Sequence, residues 1–384
     1  MQIKTIITSI RKYIKLDLIH IYLFRLFMFC IQKLIYPLRR FQKEPVNKIL
    51  IVRLKHLGDL LLSVPLIQSL QRYYPGATLS IATGSWNREI AEDIIRDVKK
   101  VYYYNVTKYC RAKDQIVPIQ ARLAILREIS QRRFDLVIDL DGSVGFLFLY
   151  LFKRVTFVSS IESLRFQQNL AQLGLIENDR TNYNIHSQHE LLNLAASIRR
   201  LGFDLIPDSM RLQIKRETEQ FIHAYFAKNL IVTTRPLIGI HPAASTRQKL
   251  WSTENFAKLA EELIQRFRAQ IIFFGTPTER ERIERIQAKM TSGSITASDL
   301  SLPQFIAAMN RCQLLICLDS LAQHVAFLQG VPAVVIYRSD NFVRWTPGDS
   351  ENMAVIFKKE GAEVADIMSN LPPAFLKKIE TALR

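Results

Sequence analysis

The sequence predicts an α/β protein, and three observations support this fold class. Segments typical of buried strands alternate with segments typical of helices along most of the chain. Residues 48–54 form an almost unbroken aliphatic run, which is the pattern of a central parallel strand buried on both faces. The chain has 384 residues and is 48% hydrophobic, so it can bury two cores.

The segment 48–65, KILIVRLKHLGDLLLSVP, contains the first candidate site residue. Gly58 is expected to permit a sharp turn after the strand, and a helix is expected from residue 60 to about residue 73. Asp59 then lies at the carboxyl end of the strand, where open α/β sheets bind ligands. Its place in the first helical turn favours a charged carboxylate, which could accept a proton from a substrate hydroxyl. The alternative is that Asp59 only caps the helix.

Strands and helices continue to alternate up to about residue 201, and an irregular basic and polar loop is expected at 105–118. The predicted strands are 77–82, 100–104 and 134–140, and the predicted helices are 86–98, 119–131 and one that ends near 201. Asp139 and Asp141 end the last of these strands at the same sheet edge as Asp59. Turn capping is favoured over metal binding for this pair, because no His or Glu supports it.

Residues 159–190 are polar and contain His186 and His189 beside Glu190. The spacing of these residues differs from that of a zinc protease motif, which needs two histidines four residues apart. The sequence therefore predicts helix capping and surface polarity here.

The second half of the chain repeats the alternation of strands and helices. The predicted strands are 237–241, 270–275, 295–297, 314–318 and 332–337, and the predicted helices are 217–228, 253–268, 278–290, 303–310, 322–329 and one from 373. Both halves are thus expected to have Rossmann-like βα architecture. The predicted organisation is a membrane-association segment at 1–47, a first domain at 48–207 and a second domain at 208–384, with the boundary in the stretch 202–208.

The formal net charge of +17 calls for an acidic partner, either nucleic acid or an anionic membrane. Residues 1–48 carry ten Lys and Arg against two acids, so this short segment supplies +8 of the +17. The same segment is rich in Ile, Leu, Phe and Tyr, an apolar content that is unusual for a nucleic-acid arm. The remaining basic residues are dispersed and form no recognised binding motif, so a nucleic-acid partner is disfavoured.

The N-terminal segment is interrupted by charges too often for a membrane span, which needs about 20 apolar residues. It also lacks the uninterrupted apolar centre and the cleavage site of a signal peptide. Its basic residues Arg11, Lys15, Arg25, Lys33 and Arg40 share one face of a helix. Such a helix is expected to lie in the interface of an anionic membrane with its basic side chains reaching the headgroups. The alternative is a helix packed on the protein body or against a second subunit.

The four cysteines, Cys30, Cys110, Cys312 and Cys317, have no zinc-site spacing and suggest no disulfide framework. A reducing cytoplasm fits this pattern.

Three downstream stretches join the Gly58-Asp59 segment to form an ordered set of motifs. They read PLIGIHPAASTRQKLWS at 236–252, IIFFGTPTE at 271–279, and LICLDSLAQH at 315–324 ahead of GVPAVVIYRSDN. This set resembles the inverting glycosyltransferases of family 9, the ADP-heptose:lipopolysaccharide heptosyltransferases, over about residues 48–347. The resemblance implies the GT-B fold, in which two Rossmann-like domains face each other across a cleft, with the acceptor on the first and the sugar nucleotide on the second.

The resemblance also implies roles for the matched residues. Asp59 matches the family's base, and Lys249, before Trp251, matches a lysine at the donor diphosphate. The further substrate-binding candidates are Gly58, Arg247, Glu279, Asp319, Ser320, His324 and Asp340. Cations such as Arg247 and Lys249 stabilise charge on a departing diphosphate, and the helix start after Asp319 and Ser320 offers N–H groups to phosphate. No cofactor and no catalytic metal are implied.

Three departures from the family pattern lie in the expected donor site. Leu321 stands where the family has Gly, Ala243 replaces the Gly of a His-Pro-Gly stretch, and Arg338-Ser339 replaces Gly-Pro. The expected function is transfer of heptose or a related sugar from a nucleotide diphosphate to a lipid-linked core oligosaccharide at the cytoplasmic face of the membrane. The alternatives are a family member that uses another sugar nucleotide and a membrane-bound relative without activity, for which Leu321 is the main argument.

Overall fold

The computed structural model describes residues 46–105, 118–141, 189–199, 203–206, 211–232, 234–338, 342–346, 351–358 and 361–383. The expected amphipathic helix before residue 46 and the predicted boundary at 207/208 lie outside these residues. Within them, no helix is long and apolar enough to cross a membrane.

The first half of the molecule, up to residue 206, is built on a four-stranded parallel sheet with the order β3-β2-β1-β4. Its strands are β1 (Lys48–Arg53), β2 (Thr78–Thr83), β3 (Val98–Tyr103) and β4 (Leu136–Asp139). In the central strand, Ile51 pairs with Ile81 on one side and Ile138 on the other. This central position explains the aliphatic run, because helices and loops cover both faces of a parallel sheet.

Within its described residues, the first half contains the helices α1 (Leu57–Tyr73), α2 (Ile119–Gln131) and α3 (Glu190–Arg199). The predicted helix 86–98 is wrong in form, since the chain makes a 3₁₀ turn at Ser85–Asn87 and a π-helical turn at Ile90–Ile94. The 3₁₀ turn is held by Trp86, whose Nε1 donates to the carbonyl of Lys55 at 2.7 Å. Asp97 then takes a left-handed backbone conformation, with φ of 57°, and the next strand starts at Val98.

The second half, from residue 211, is built on a six-stranded parallel sheet with the order β10-β9-β8-β5-β6-β7. Its strands are β5 (Leu237–His241), β6 (Gln270–Phe274), β7 (Ile295–Ala297), β8 (Leu314–Leu318), β9 (Ala333–Tyr337) and β10 (Met353–Phe357). The strand order reverses between β5 and β8, as in a doubly wound Rossmann sheet. The edge strand β10 is only five residues long, and it was not predicted from the sequence.

The helices of the second half follow most of the predicted spans. They are α4 (Arg216–Lys228), α5 (Thr253–Phe267), α6 (Arg280–Gln287), α7 (Leu302–Met309), α8 (Leu321–Gln329), α9 (Phe342–Trp345), α10 (Val364–Ser369) and α11 (Pro373–Leu383). The side chain of Ser252 caps α5 and that of Ser301 caps α7, so both helices begin where the sequence expects them.

The two halves share an apolar core. Helix α8 packs against α1, and buried side chains of both helices, such as Leu60 and Val325, belong to one continuous cluster. Because α1 follows β1 and α8 follows β8, this contact brings the starts of the two helices, and the ends of the two strands before them, towards each other.

Candidate active site

The strand order places two candidate regions at the carboxyl edges of the sheets. In an open α/β sheet the ligand crevice lies where the strand order reverses. That point lies between β1 and β4 in the first sheet and between β5 and β8 in the second. Asp59, Lys249, Asp319 and Ser320 all follow the strands at these two points.

Asp59 lies in the first turn of α1 and is 6% exposed. Its Oδ2 accepts a hydrogen bond from the backbone N–H of His56 at 3.1 Å, so the capping role is present. Its Oδ1 accepts from Nη2 of Arg53 at 3.3 Å. A carboxylate has about four acceptor positions, so these two contacts leave room for a substrate hydroxyl.

Arg53, which sequence reasoning missed, organises the end of β1. It is 1% exposed, and its guanidinium contacts the carboxylates of Asp59, Asp141 and Glu190 at 3.2–3.3 Å. Burial opposes its charge, but attraction to Asp141, Asp59 and Glu190 outweighs burial and raises the pKa of Arg53 above its ordinary value. A lone arginine in an otherwise aliphatic strand is the signal that could have revealed it.

The expected turn at Gly58 is not present, because α1 begins one residue earlier, at Leu57, and Gly58 has ordinary helical geometry. A Cβ at Gly58 would lie 3.0 Å from Cδ2 of His324 and 3.9 Å from Cδ1 of Leu321. A larger residue at Gly58 would press on the His324 ring, so glycine here suits the close approach of α8 and not a turn. Gly58 and His324, which the sequence both placed in the site, are thus neighbours.

Lys249 and Asp319 meet at the second sheet. Nζ of Lys249 lies 2.6 Å from Oδ2 of Asp319, and the lysine side chain remains 26% exposed. Oδ1 of Asp319 accepts from Nε2 of Gln323 at 3.2 Å, which orients the carboxylate from within α8. Arg247 lies in the same 3₁₀ turn as Lys249 and is exposed. Two cations thus stand on one loop, one oriented by Asp319 and one directed to solvent.

His241, at the end of β5, connects the other donor-site candidates. Its Nδ1 lies 3.4 Å from Oγ of Ser320, and its Nε2 lies 4.0 Å from Oε2 of Glu279. Burial lowers the pKa of His241, against the attraction of Glu279. Glu279 also accepts from the backbone N–H of Thr276 at 2.8 Å, so it caps the 3₁₀ turn Pro277–Glu279. His241 lies in the stretch 236–252 that resembles the family, but it was not predicted as a site residue.

His189 and Glu190 correct a sequence prediction. Surface polarity was expected, but His189 is 6% exposed and Glu190 is 1% exposed. Glu190 pairs with Arg53 of the first half and with Arg344 of the second, at 3.2 and 3.0 Å. The ring of His189 lies edge-on to Phe327 of α8, with 5.1 Å between the ring centroids. These residues belong to the junction between the halves.

His324 is buried at the same junction, edge-on to Trp345, and its Nδ1 has no hydrogen-bond partner. Burial, with a contribution from His189, lowers the pKa of His324 to about 3. Burial lowers the pKa of His189 to about 4. Both imidazoles are therefore neutral near pH 7.

These two histidines should make the folded state sensitive to acid. The folded pKa values lie below the unfolded value of 6.5, so the unfolded chain binds more protons as the pH falls below 6.5. We expect the free energy of unfolding to fall by about 2 kcal/mol per histidine between pH 7 and pH 5. Urea unfolding at both pH values would measure this loss, and a variant with His189→Gln and His324→Gln should show a smaller one. An equal loss in both proteins would contradict the assignment.

Three of the residues that depart from the family pattern, Ala243, Leu321 and Arg338, lie within the described part of the chain. Arg338 donates from Nη1 to the carbonyl of Leu250 at 3.1 Å, so it braces the loop that carries Lys249. Leu321 opens α8 and packs towards Gly58. Asp340 lies outside the described residues.

Two of the cysteines lie within the described part of the chain. Cys312 and Cys317 are free and buried, and burial raises the pKa of both thiols. The described ranges contain no group of three or more His, Cys, Asp or Glu that could hold a metal. The expectation of a metal-independent reaction remains a prediction.

Comparison with known proteins agrees with this architecture. The family model of glycosyltransferase family 9 (heptosyltransferase) matches residues 122–370. This span contains the candidate donor residues, while Asp59 lies before it. The chain is 23% identical to the lipopolysaccharide core heptosyltransferase OpsX of Haemophilus influenzae, over 83% of this chain and 87% of that protein. It is 25% identical to lipooligosaccharide heptosyltransferase 2 of Haemophilus ducreyi, over 75% and 82% of the two chains.

Solved structures show the same fold. The family 9 glycosyltransferase from Veillonella parvula superposes with a TM-score of 0.67 at 19% identity, covering 87% of this chain and 99% of that one. ADP-heptose lps heptosyltransferase II of Escherichia coli gives 0.60 at 20% identity, covering 88% and 98%. The predicted GT-B fold is thereby confirmed. With its two parallel sheets and its match over residues 122–370, the chain belongs to glycosyltransferase family 9, the heptosyltransferase family.

Proposed function

We propose that the protein transfers a heptose from ADP-heptose to a lipid-linked lipopolysaccharide core acceptor. One observation carries the proposal. Lys249, Asp319 and Ser320 meet at the point where the strand order of the second sheet reverses, where such sheets bind nucleotides. The names of the relatives, which are core heptosyltransferases, support the choice of sugar and acceptor.

The proposed reaction is a single displacement with inversion. Asp59 takes the proton from an acceptor hydroxyl, and the resulting oxygen attacks the anomeric carbon from the face opposite the diphosphate. The bond from the anomeric carbon to the diphosphate breaks, and its electron pair leaves with the nucleotide. Lys249, Arg247 and the N–H groups at the start of α8 stabilise the charge on the departing diphosphate.

Glu279 and His241 are assigned to the donor nucleoside. Glu279 is 28% exposed, so its carboxylate can still accept hydrogen bonds from ribose hydroxyls. His241 lies between Glu279 and Ser320 and holds the nucleoside side of the site next to the phosphate side.

The donor assignment is tested by isothermal titration with ADP-heptose, GDP-mannose and UDP-glucose. We expect ADP-heptose to bind at least tenfold more tightly than the other two. Tighter binding of GDP-mannose or UDP-glucose would contradict the assignment of ADP-heptose as the donor, but not the proposed type of reaction.

A second candidate is a relative without activity, and Leu321 is the observation that favours it. A leucine at the start of α8 puts a bulky side chain where phosphate approaches the backbone. Its Cδ1 lies 3.9 Å from the Cβ position of Gly58, so the side chain packs towards the first half. Binding of ADP-heptose without transfer to any core acceptor would favour this candidate.

We further propose that the protein works at the cytoplasmic face of the inner membrane and is held there by residues 1–44. The charge of this segment and its apolar content support the assignment. An acceptor embedded in the membrane explains why an enzyme of this kind would need such a segment.

Deleting residues 1–44 should leave a folded protein that no longer sediments with anionic vesicles. The described fold starts at Val46, and Asp135 holds the backbone N–H groups of Asn47 and Lys48 at 2.8 and 2.9 Å, so the deletion ends before the sheet. Binding of the full chain should fall as salt rises, since each basic residue near the surface contributes about 1 kcal/mol. Sedimentation with neutral and anionic vesicles at two salt concentrations measures both effects. Equal sedimentation of the two proteins would exclude the anchor, and unfolding on truncation would favour the packed helix.

A further inference from the structure

Glu190 is a deeply buried acidic residue at the junction of the two halves. Its side chain is 1% exposed, and each of its oxygens contacts an arginine. Oε1 lies 3.2 Å from Nη2 of Arg53, and Oε2 lies 3.0 Å from Nε of Arg344. A carboxylate is costly to bury unless it is paired, so the two arginines hold Glu190 in one position. One arginine belongs to β1 and the other to α9, so this single side chain links the two halves.

Arg53 connects this link to the proposed base. Its Nη2 is shared between Glu190 and Oδ1 of Asp59, and its Nε donates to the backbone carbonyl of Asp59 at 3.2 Å. Nη1 donates to the carbonyl of Leu140 at 3.0 Å and to Oδ1 of Asp141 at 3.2 Å. Every nitrogen of the guanidinium is engaged, so a shift of Glu190 changes the contact that orients Asp59.

Arg344 connects the link to the donor side. Its guanidinium lies over the ring of Trp345, 4.5 Å from the centroid, and that ring lies edge-on to His324 at 5.9 Å. His324 belongs to α8, whose first residues are the proposed phosphate site, and it lies against Gly58 beside the base. The contacts therefore close a ring through Asp59, Arg53, Glu190, Arg344, Trp345, His324 and Gly58.

We propose that Glu190 is a positioning residue for transfer, which holds Arg53 against Asp59 while it is itself held by Arg344 of the donor half. This inference rests on the proposed role of Asp59 as the base. The carboxylate of Asp59 is then oriented for proton transfer when the two halves are engaged as they are in this structure. The alternative is a buried ion-pair network that contributes only to the stability of the fold.

The charged groups around Asp59 are Arg53, Lys55, Asp141, Glu190 and Arg344. The nearby imidazoles of His189 and His324 are neutral at the pH of an assay, because burial lowers the pKa of both. Removing either charged partner of the link should therefore change the pH dependence of kcat, in opposite directions. A purely structural role would not produce this pair of shifts.

The test compares Glu190→Gln with Arg344→Gln. Each variant should lower kcat at least tenfold and change the dissociation constant for ADP less than threefold. In Glu190→Gln the acidic limb of the kcat profile should move to lower pH by about half a unit or more, because a negative charge beside the Arg53–Asp59 pair is lost. In Arg344→Gln the acidic limb should move to higher pH, because a positive charge near the Arg53–Asp59 pair is lost.

Arg311→Gln is the matched control, because it removes an exposed Arg–Glu pair, with Glu219 at 2.9 Å, far from this network. Arg311→Gln should change neither kcat nor the position of the acidic limb of the kcat profile. Arg344→Lys, which keeps the positive charge, should have its acidic limb closer to the wild-type position than Arg344→Gln has. Unmoved limbs and unchanged kcat in both folded variants would overturn the proposal, and Arg344→Gln provides the test if Glu190→Gln does not fold. If Asp59→Asn retains activity, the base assignment fails instead, so the two failures are distinguishable.

Discussion

Asp59→Asn is expected to lower kcat by at least about a hundredfold, which is the usual scale for loss of a general base. The amide keeps the shape of the side chain, and its oxygen can still accept a hydrogen bond from the backbone N–H of His56. It cannot, however, take the proton from the hydroxyl of the acceptor substrate. The dissociation constant for ADP should change less than threefold, since the proposed donor contacts lie in the second half. Steady-state kinetics and isothermal titration measure the two quantities.

Asp93→Asn is the matched control for this substitution, because Asp93 pairs with Lys215 at the surface with 45% of its side chain exposed. It should leave both quantities unchanged. Thermal unfolding of Asp59→Asn shows whether the loss of charge beside the buried Arg53 affects the fold. A folded variant with kcat within fivefold of the wild type would reduce Asp59 to a helix cap and a partner of Arg53.

Lys249→Ala is expected to weaken ADP binding at least tenfold and to lower kcat as well. A hydrogen bond to a charged group contributes about 1.5–3 kcal/mol, and Lys249 would make such bonds to the diphosphate both before and during its departure. Nζ of Lys249 lies 2.6 Å from Oδ2 of Asp319, and an ammonium has three donor hydrogens, so it can also donate to a diphosphate.

Lys258→Ala is the matched control for Lys249→Ala, because Lys258 is exposed on α5 of the same half. It should bind ADP as the wild type does. Unchanged affinity in Lys249→Ala, measured by isothermal titration, would show that the diphosphate lies elsewhere.

The sequence predicts the central parts of this fold well, and the reason is local. Strands β1, β5 and β8 are buried on both faces, so their aliphatic runs are long and unambiguous. The edge strand β10 was missed and the turns at 85–94 were misjudged, because their form depends on neighbours that the local sequence does not reveal. Trp86, for example, holds its turn through a carbonyl 31 residues away.

The candidate donor residues were chosen from the family resemblance together with their positions after strand ends. Each candidate there follows a strand end, and parallel strands bring their ends to one edge, so the topology alone brings Lys249, Asp319 and Ser320 together. His241 could have been added on the same reasoning, since it ends β5.

The network around Asp59 was not predictable in this way. Arg53 meets Glu190 across 137 residues of sequence, and Glu190 meets Arg344 across 154. Glu190 lies at the end of a polar stretch, and its neighbours in sequence suggest solvent. Only the packing of α3 against α1 turns this carboxylate inwards.

We propose an inverting transfer in which Asp59 acts on the acceptor and Lys249 on the donor. Incubation of the protein with ADP-heptose and a lipid-linked core acceptor that lacks heptose tests this reaction. We expect a product heavier by one heptose in the mass spectrum, with an anomeric configuration in the nuclear magnetic resonance spectrum opposite to that of the donor, and loss of this product in Asp59→Asn. A product that retains the donor configuration, or equal product from Asp59→Asn, would contradict it.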